Sequence, residues 1–379
     1  MQSKHDTYVV GYYGMRNSGD DALMLASIEG AKRAFGSSNI AVNASNQYGL
    51  VRQLDVQGQA PMLFRGHQRL THYQRAYGAK KIVFGGGSVL HSSRDIAQKC
   101  HMISLCGKES SYAVGVGIEA FKTTADEKQC AKFLNKCHFI GVRDAQSLDI
   151  AKSIAPTANI AQTFDLAPSL LHYFGNAIQS IERRGVAFNF CQQAINAFGE
   201  ADVVSERARI RKAVKLVTAI WEMTREDVYL VDFNDHGTLG DNNVHEQILR
   251  KIPSYVPVKR IRYTVNPLRL LQSMAMFKAV IGMRLHAAVY AYMVNTPFIS
   301  LQYHSKCKQW SNQIGMADLY QFDANSYEPL DVINITNQVV SGQCISPTLP
   351  VEQAVALSMN NWSNEYEQHQ ILSCHPSVQ

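Results

Sequence analysis

The chain has no apolar run long enough to cross a bilayer. Its most apolar stretch, Met274 to Leu301, is broken by Lys278, Arg284 and His286, short of the ~18–20 uninterrupted residues that a spanning helix requires. It reads as a buried α/β core. The opening MQSKHDTYVVGYYG passes from charged residues straight into a strand-like stretch, without the apolar core or cleavage site of a signal peptide, which predicts a cytoplasmic protein with no transmembrane segment. Peripheral association with a membrane is compatible with that reading. Glycine and proline are also scarce, 35 of 379 residues, below the usual ~12%. That excludes a dominant linker or low-complexity segment and predicts two compact domains.

Eight cysteines (100, 106, 130, 137, 191, 307, 344 and 374) form no CxxC pair and no zinc-like spacing with histidine. They are expected to be reduced thiols, mostly packing residues, and no metal site is expected. Carboxylates are missing locally. Between Gln247 and Ala317, 71 residues carry no Asp or Glu but ten Lys or Arg: Arg250, Lys251, Lys259, Arg260, Arg262, Arg269, Lys278, Arg284, Lys306 and Lys308. Average usage would place about six carboxylates there. The expectation is a positive field suited to an anionic ligand.

What is present is an alternation of short β-rich apolar runs with helical patterns, the mark of βαβ units and mainly parallel sheets. Strands are predicted over Thr7–Tyr12, Ile40–Asn43, Lys81–Phe84, Ser111–Val116 and Phe139–Val142. A second series covers Gly185–Phe190, Val228–Phe233, Val258–Tyr263, Ala279–Ile281 and Phe298–Tyr303. Helices are predicted over Asp20–Phe35, Ala145–Ile154, Glu206–Glu222, Asp241–Lys251, Pro267–Phe277, Leu285–Val294 and Val351–His369. The fold class is therefore α/β, two Rossmann-like domains with mainly parallel sheets. The N-terminal domain is expected over 1–178 and the C-terminal domain, the one suited to an anionic ligand, over 179–345. A helix and tail over 346–379 would pack back on the N-terminal domain.

The motifs lie at strand ends. VVGYYGMRNSGDDALMLA is a strand, a glycine turn and a helix, whose N-cap is expected to be Asp20 or Ser18. GGGSVLHS, with Gly86, Gly87 and Ser88, follows the strand KKIVF, and GVGI follows YAV; both turns can keep a cleft thin, and for GVGI tight β-to-α packing is the favoured reading. GVRDAQS puts Arg143 and Asp144 at a strand end, where a helix cap with an exposed ion pair is the bland alternative. Asp165 precedes Pro168 in TFDLAPSL. The block VIGMRLHAAVYAYMVNTPFISLQYHSKCKQW sets Arg284 and His286 after one strand and Lys306 after the next, so the three can converge on one crevice. Arginine offers a fork for phosphate or carboxylate, lysine a point charge and histidine a proton.

Taken in order, GYYGMRNSGDDA, FGGGSVLHS, VGVGIEAF, GVRDAQS, TFDLAPSL, GMRLHAAVYA and PFISLQYHSK resemble the polysaccharide pyruvyl transferase family from about Tyr8 to Gly315. The resemblance implies a GT-B-like arrangement with the site between two Rossmann-like halves, a C-terminal domain that binds the anionic donor, and transfer of pyruvate from phosphoenolpyruvate onto two hydroxyls of a glycan sugar, forming a ketal. It implies no cofactor, since phosphoenolpyruvate is a substrate, and an acceptor that is a glycan or a lipid-linked oligosaccharide. The family's essential arginine falls on Arg143, its RLH motif on Arg284, Leu285 and His286, its later lysine on Lys306, and its NxGD signature on Asn17, Gly19 and Asp20. Donor binding is thus expected at Arg143, Arg284, Leu285, His286 and Lys306, and catalysis at His286, Lys306 and Arg143. Acceptor or cleft positions are Asn17, Asp20, Gly86, Gly87, Ser88 and Asp165. His286 is expected to be the base, with His304 as the substitute, and Lys306 the carboxylate clamp or the acid.

The alternative is a GT-B-like glycosyltransferase using a nucleotide sugar; the acid-free stretch argues against it, since such enzymes often hold the ribose with a carboxylate. Nucleic acid is not an expected partner, because the cations are spread over strands and helices rather than set in a basic stripe with aromatics.

Overall fold

The computed structural model describes residues 4–64, 66–90, 92–107, 110–178, 181–193 and 202–363. The chain divides into two compact units. One holds Met1–Met15, Asp20–Tyr173 and Ala354–Gln379, the other Arg16–Gly19 and Phe174–Gln353.

The first unit is a seven-stranded sheet in the order β3-β2-β1-β4-β5-β6-β7, every pair parallel. Its strands are β1 (His5–Val10), β2 (Ile40–Ser45), β3 (Gln57–Gln59), β4 (Ala79–Gly87), β5 (Ser111–Val116), β6 (Phe139–Val142) and β7 (Ile160–Gln162). The helices are α1 (Ser18–Phe35), α2 (Gly49–Gln53), α3 (His67–Tyr77), α4 (Ser93–Cys106), α5 (Thr124–Lys136), α6 (Ala145–Ile154) and α7 (Ser169–Phe174). β5 and β6 are buried at every position, the pattern of a parallel sheet covered on both faces. Phe84 and Phe133, both fully buried, meet edge to face at 5.2 Å in the core.

The second unit is a six-stranded parallel sheet in the order β10-β9-β8-β11-β12-β13. Here β8 is Val186–Asn189, β9 Val228–Val231, β10 Val258–Ile261, β11 Ala279–Gly282, β12 Phe298–Gln302 and β13 Gln321–Asp323. The helices are α8 (Val203–Thr224), α9 (Asp241–Leu249), α10 (Pro267–Ala275), α11 (Leu285–Met293), α12 (Ser305–Gln313) and α13 (Pro329–Val340), followed by α14 (Val351–Met359). Asn266 caps α10 through its side chain, with Pro267 at the first helical position, where a missing N–H costs nothing.

Several expectations are corrected. The N-cap of α1 is Asn17, whose Oδ1 accepts from the Gly19 N–H at 3.1 Å, while Ser18 and Asp20 lie inside the helix. β1 stops at Val10 because Gly11 leaves the ladder to exchange two hydrogen bonds with the Asn43 amide. β3, β7 and β13 were not expected: each is a three-residue edge strand with little buried surface, so no apolar run announces it. Among the described cysteines, Cys100, Cys130, Cys137, Cys191 and Cys307 are buried, in line with the packing expected of most of them, and Cys344 is exposed; Cys374 and the part of the last predicted helix beyond residue 363 lie outside the described residues. From that last segment Asn361 is buried in the first unit. Its Oδ1 accepts from Gly115 N at 2.7 Å and Thr163 Oγ1 at 2.9 Å. Trp362 meets Phe35 edge to face and occupies the space that a Cβ on Gly30 would need.

Candidate active site

In the second unit the strand order reverses between β8 and β11, and ligands of open α/β sheets gather at the carboxyl ends of strands at such a point. Asn189, fully buried at the end of β8, ties the place together. Its amide donates to Val231 O at 3.0 Å and to Asp241 Oδ2 at 2.9 Å, and its Oδ1 accepts from the Arg284 N–H at 3.2 Å. Asp241, also fully buried, accepts from Phe233 N and Asn234 N through Oδ2, and from Arg284 Nε at 2.6 Å through Oδ1. Burial works against the Arg284 charge, but the Asp241 carboxylate outweighs it and holds the guanidinium above its ordinary pKa. With Nε on Asp241 and Nη2 only 3.4 Å from Leu239 O, the outer edge of the fork is left for an anion.

Arg284 occupies the N-cap position of α11 and His286 the second helical residue. The His286 ring lies against the backbone of Gly19: a Cβ at Gly19 would collide with Nδ1 and Cγ. Residues Arg16–Gly19 are themselves stitched to the turn after β9, through Ser18 N to Phe233 O at 2.8 Å, Asp235 N to Arg16 O at 2.9 Å and the Arg16–Asp235 ion pair. Tyr290 of α11 donates to Ser18 O at 2.8 Å. Asn17, Gly19 and Arg284 are thus joined through one set of hydrogen bonds, and the His286 ring packs against Gly19 within it. Leu285 is buried beside them. Lys306 lies in the first turn of α12, which His304 caps. The Cys307 thiol donates to Met283 O at 3.6 Å, fastening that turn to the end of β11. A hollow of about 720 Å³ opens nearby, lined among others by Gln193, Arg209, Lys212, Tyr303 and His304.

The expected positive field is partly neutralised, four of its ten cations being paired. Lys259 pairs with Asp227, Arg260 with Asp232 and Glu246, Lys278 with Glu226, and Arg284 with Asp241. All five carboxylates precede the acid-free stretch in sequence and reach it through the sheet. The premise that no carboxylate stands near Arg284 is thus overturned, and with it the argument drawn from that absence against a nucleotide-sugar ligand.

In the first unit Arg143 sits at the end of β6, 8% exposed. Its Nε lies 3.3 Å from Asp144 Oδ2, and Asp144 caps α6. The cap and ion pair of the bland reading are both there, but buried rather than exposed. The guanidinium lies over Gly117, where a Cβ would come within 2.7–2.8 Å of it. GVGI thus divides: Gly115, at φ +60° under Leu166, serves packing as expected, whereas Gly117 is the seat of Arg143. Gly86 packs against Leu23 of α1, Gly87 adopts φ +77°, and Ser88 Oγ donates to Glu119 Oε1 at 3.1 Å. Asp165 is 2% exposed and accepts from Ala167 N at 2.9 Å, closing the turn into α7. Asp20 follows the cluster residue Gly19 but counts with the first unit.

The pattern that defines polysaccharide pyruvyl transferases matches residues 17–305, from Asn17 through the turn that carries His304. The chain belongs to the polysaccharide pyruvyl transferase family. Curated proteins offer no match by sequence. Among solved structures, a UDP-GlcNAc 2-epimerase from Methanocaldococcus jannaschii aligns at TM-score 0.62 and 10% identity over 97% of this chain and 99% of that one. The enzyme from Neisseria meningitidis bound to UDP-GlcNAc aligns at 0.59 and 10% over 97% and 98%. HepE from Anabaena, in complex with UDP and glucose, aligns at 0.54 and 12% over 98% and 100%. At such identities the likeness establishes the fold alone, the expected GT-B-like class of two Rossmann-like domains.

Two site residues of this polysaccharide pyruvyl transferase family member escape a reading of the sequence. Asp241 reads only as a helix start, and Asn189 as a residue within the predicted strand Gly185–Phe190; their partners are chosen by strand order rather than by spacing. Behind them Asp232 Oδ1 lies 2.5 Å from His245 Nδ1, and His245 Nε2 accepts from Phe190 N at 3.0 Å. A ring nitrogen that accepts from a backbone N–H carries no proton, so the proton sits on Nδ1 facing Asp232. This pair buttresses the loop after β8. No cluster of three or more His, Cys, Asp or Glu able to hold a metal is found among the described residues, and no helix among them is long and apolar enough to cross a membrane.

Proposed function

We propose that the protein transfers the pyruvate unit of phosphoenolpyruvate to two hydroxyls of a glycan sugar, forming a ketal and releasing phosphate. The observation that carries this reading is the Arg284 fork, held charged by a buried carboxylate and set one residue from His286 within the RLH motif. In the reaction C3 of the enol gains a proton and C2 becomes electrophilic. Two sugar oxygens bond to C2 while its bond to the phosphate oxygen breaks. Of the two hydroxyl protons released, one balances the proton taken up at C3 and the other leaves with phosphate. Arg284 and Lys306 bind the donor's anionic groups, with Arg143 as the first unit's donor-binding arginine. His286 takes a hydroxyl proton from the acceptor, and Lys306 either clamps the carboxylate or protonates C3. Asn17 and Gly19 position His286, while Asp20, Gly86, Gly87, Ser88 and Asp165 belong to the acceptor side. No cofactor or metal takes part in this scheme.

The test is incubation with phosphoenolpyruvate and candidate glycans, reading phosphate release and a product heavier by one pyruvate ketal. Thermal stabilisation by UDP but not by phosphoenolpyruvate, with no ketal product, rejects the proposal in favour of nucleotide-sugar chemistry.

A further inference from the structure

Three consecutive large apolar side chains stand in water on the first unit. Met62, Leu63 and Phe64 are 68%, 80% and 55% exposed, and Leu70 of α3 is 51% exposed. Soluble surfaces scatter such residues singly, whereas a contiguous group marks a contact site. The group is held in place rather than folded inward. Leu63 N donates to His67 Nδ1 at 3.1 Å, and the Phe64 ring stacks on His67 with centroids 5.0 Å apart.

The surroundings are cationic. From Val56 to Arg94 the sequence has six Lys or Arg and no Asp or Glu. Lys80 pairs with Asp6, Lys81 donates to the Tyr112 hydroxyl, and Arg75 donates to the carbonyls of Val42, Gln57 and Gly58. Arg69 and Arg94 are exposed and make no ion pair among the described residues. Both line a hollow of about 720 Å³ together with Met62, His72, Lys99 and His101, whose one lining carboxylate, Asp95, is bound to Lys99. Apolar side chains projecting beside uncompensated arginines complement a surface that is uniformly negative over an apolar interior.

We infer that this face docks the protein on an anionic lipid bilayer, with Met62–Phe64 entering the interface and Arg69 and Arg94 meeting lipid phosphates. The inference goes beyond pyruvyl transfer and does not depend on it, since vesicle binding is read without turnover. It assigns the first unit a surface suited to an acceptor that is itself anchored in lipid.

The experiment is co-sedimentation of the full chain with vesicles of phosphatidylcholine alone and of equimolar phosphatidylcholine and phosphatidylglycerol. The mixed vesicles should bind it and the neutral ones only weakly. Leu63→Ser/Phe64→Ser should lower partitioning at least tenfold, an order-of-magnitude expectation for two lost apolar anchors, and Arg69→Gln/Arg94→Gln by about tenfold or more. Circular dichroism verifies that each variant is folded, and either variant alone decides the matter if the other misfolds. Wild-type protein that sediments with neither vesicle, or both variants binding as wild type does, overturns the inference. So does equal binding to both vesicle types. A dimer in light scattering that the Leu63→Ser/Phe64→Ser change dissociates, with no vesicle binding, overturns it too and gives the patch to a second copy of the chain.

Discussion

The two sheets share one strand order, yet each holds its arginine differently. In the second unit Arg284 follows β11, at the point where the order reverses, and its partner Asp241 lies 43 residues earlier in the chain. In the first unit the same reversal, between β1 and β4, is occupied by glycines, and Arg143 follows β6, two strands farther along. Arg143 is paired to its sequence neighbour and seated on Gly117. One guanidinium is fixed by a long-range buried carboxylate, the other by local geometry and the absence of a side chain beneath it. Equal topology therefore does not imply equal chemistry, and the comparison can be broken or sharpened by substitution.

The largest effect should come from His286→Ala, because the second unit carries the proposed proton chemistry. Ketal formation should fall by roughly 10²–10⁴-fold, the range for a lost general base, while donor affinity stays within a few fold. Lys306→Ala should weaken donor binding by about tenfold, as expected for a charge-assisted contact. Single-turnover product and donor titration separate the two, and a His286→Ala enzyme with near-normal turnover moves the base role to His304.

Next is Asp241→Asn. Arg284 then loses its counter-charge beside buried groups, and unfolding in urea should show a loss of roughly 3 kcal/mol, the low end for a broken buried pair because Arg284 retains some exposure. The matching change in the first unit, Asp144→Asn, keeps a capping side chain and should cost under about 1 kcal/mol. Equal losses would erase the distinction between the two arginines.

Arg143→Lys and Arg284→Lys keep the charge but remove the planar fork, and each should lower kcat/KM at least tenfold, an order-of-magnitude expectation for a lost bidentate contact. Smaller, and more diagnostic, are Gly19→Ala and Gly117→Ala. Neither glycine has a positive φ, so alanine is permitted by the backbone, and its nearest collisions are with His286 or with Arg143. A fall in turnover with little change in Tm is expected for both.

One effect is confined to the first unit and to acid pH. Burial, helped by Arg75 and Lys99, depresses the pKa of His72 from 6.5 to about 4. The unfolded chain then binds more protons than the folded one between those values. Stability from this group is complete above pH ~6.5 and declines as pH falls towards 4, by on the order of 2 kcal/mol. Chemical denaturation of wild type and His72→Phe across that range should show the difference; parallel curves would reject the assignment.

The sequence made the βα alternation and most strand ends legible, because strands buried on both faces are continuous apolar runs. β5, β6 and α6 are found at the predicted residues. Edge strands such as β3 and β13 were not legible, since half-exposed backbone tolerates glutamine and aspartate. Arg284 and His286 could be named from local pattern, and Asn17 through the family resemblance. The pairing of Arg260 with Asp232, or of Arg284 with Asp241, could not, because it depends on which strand lies beside which. A charge count along the chain therefore overstated the field in space.

Asn361 and Trp362 complete the interior of the first unit, yet the ribosome reaches them only after the whole second unit has been made. During vectorial synthesis the Gly115 N–H waits uncovered for the 246 residues that separate it from Asn361, and the surface around Gly30 and Phe35 for longer. Domains ordinarily close one after another as they emerge. Here the first to emerge can close fully only after the second has been made.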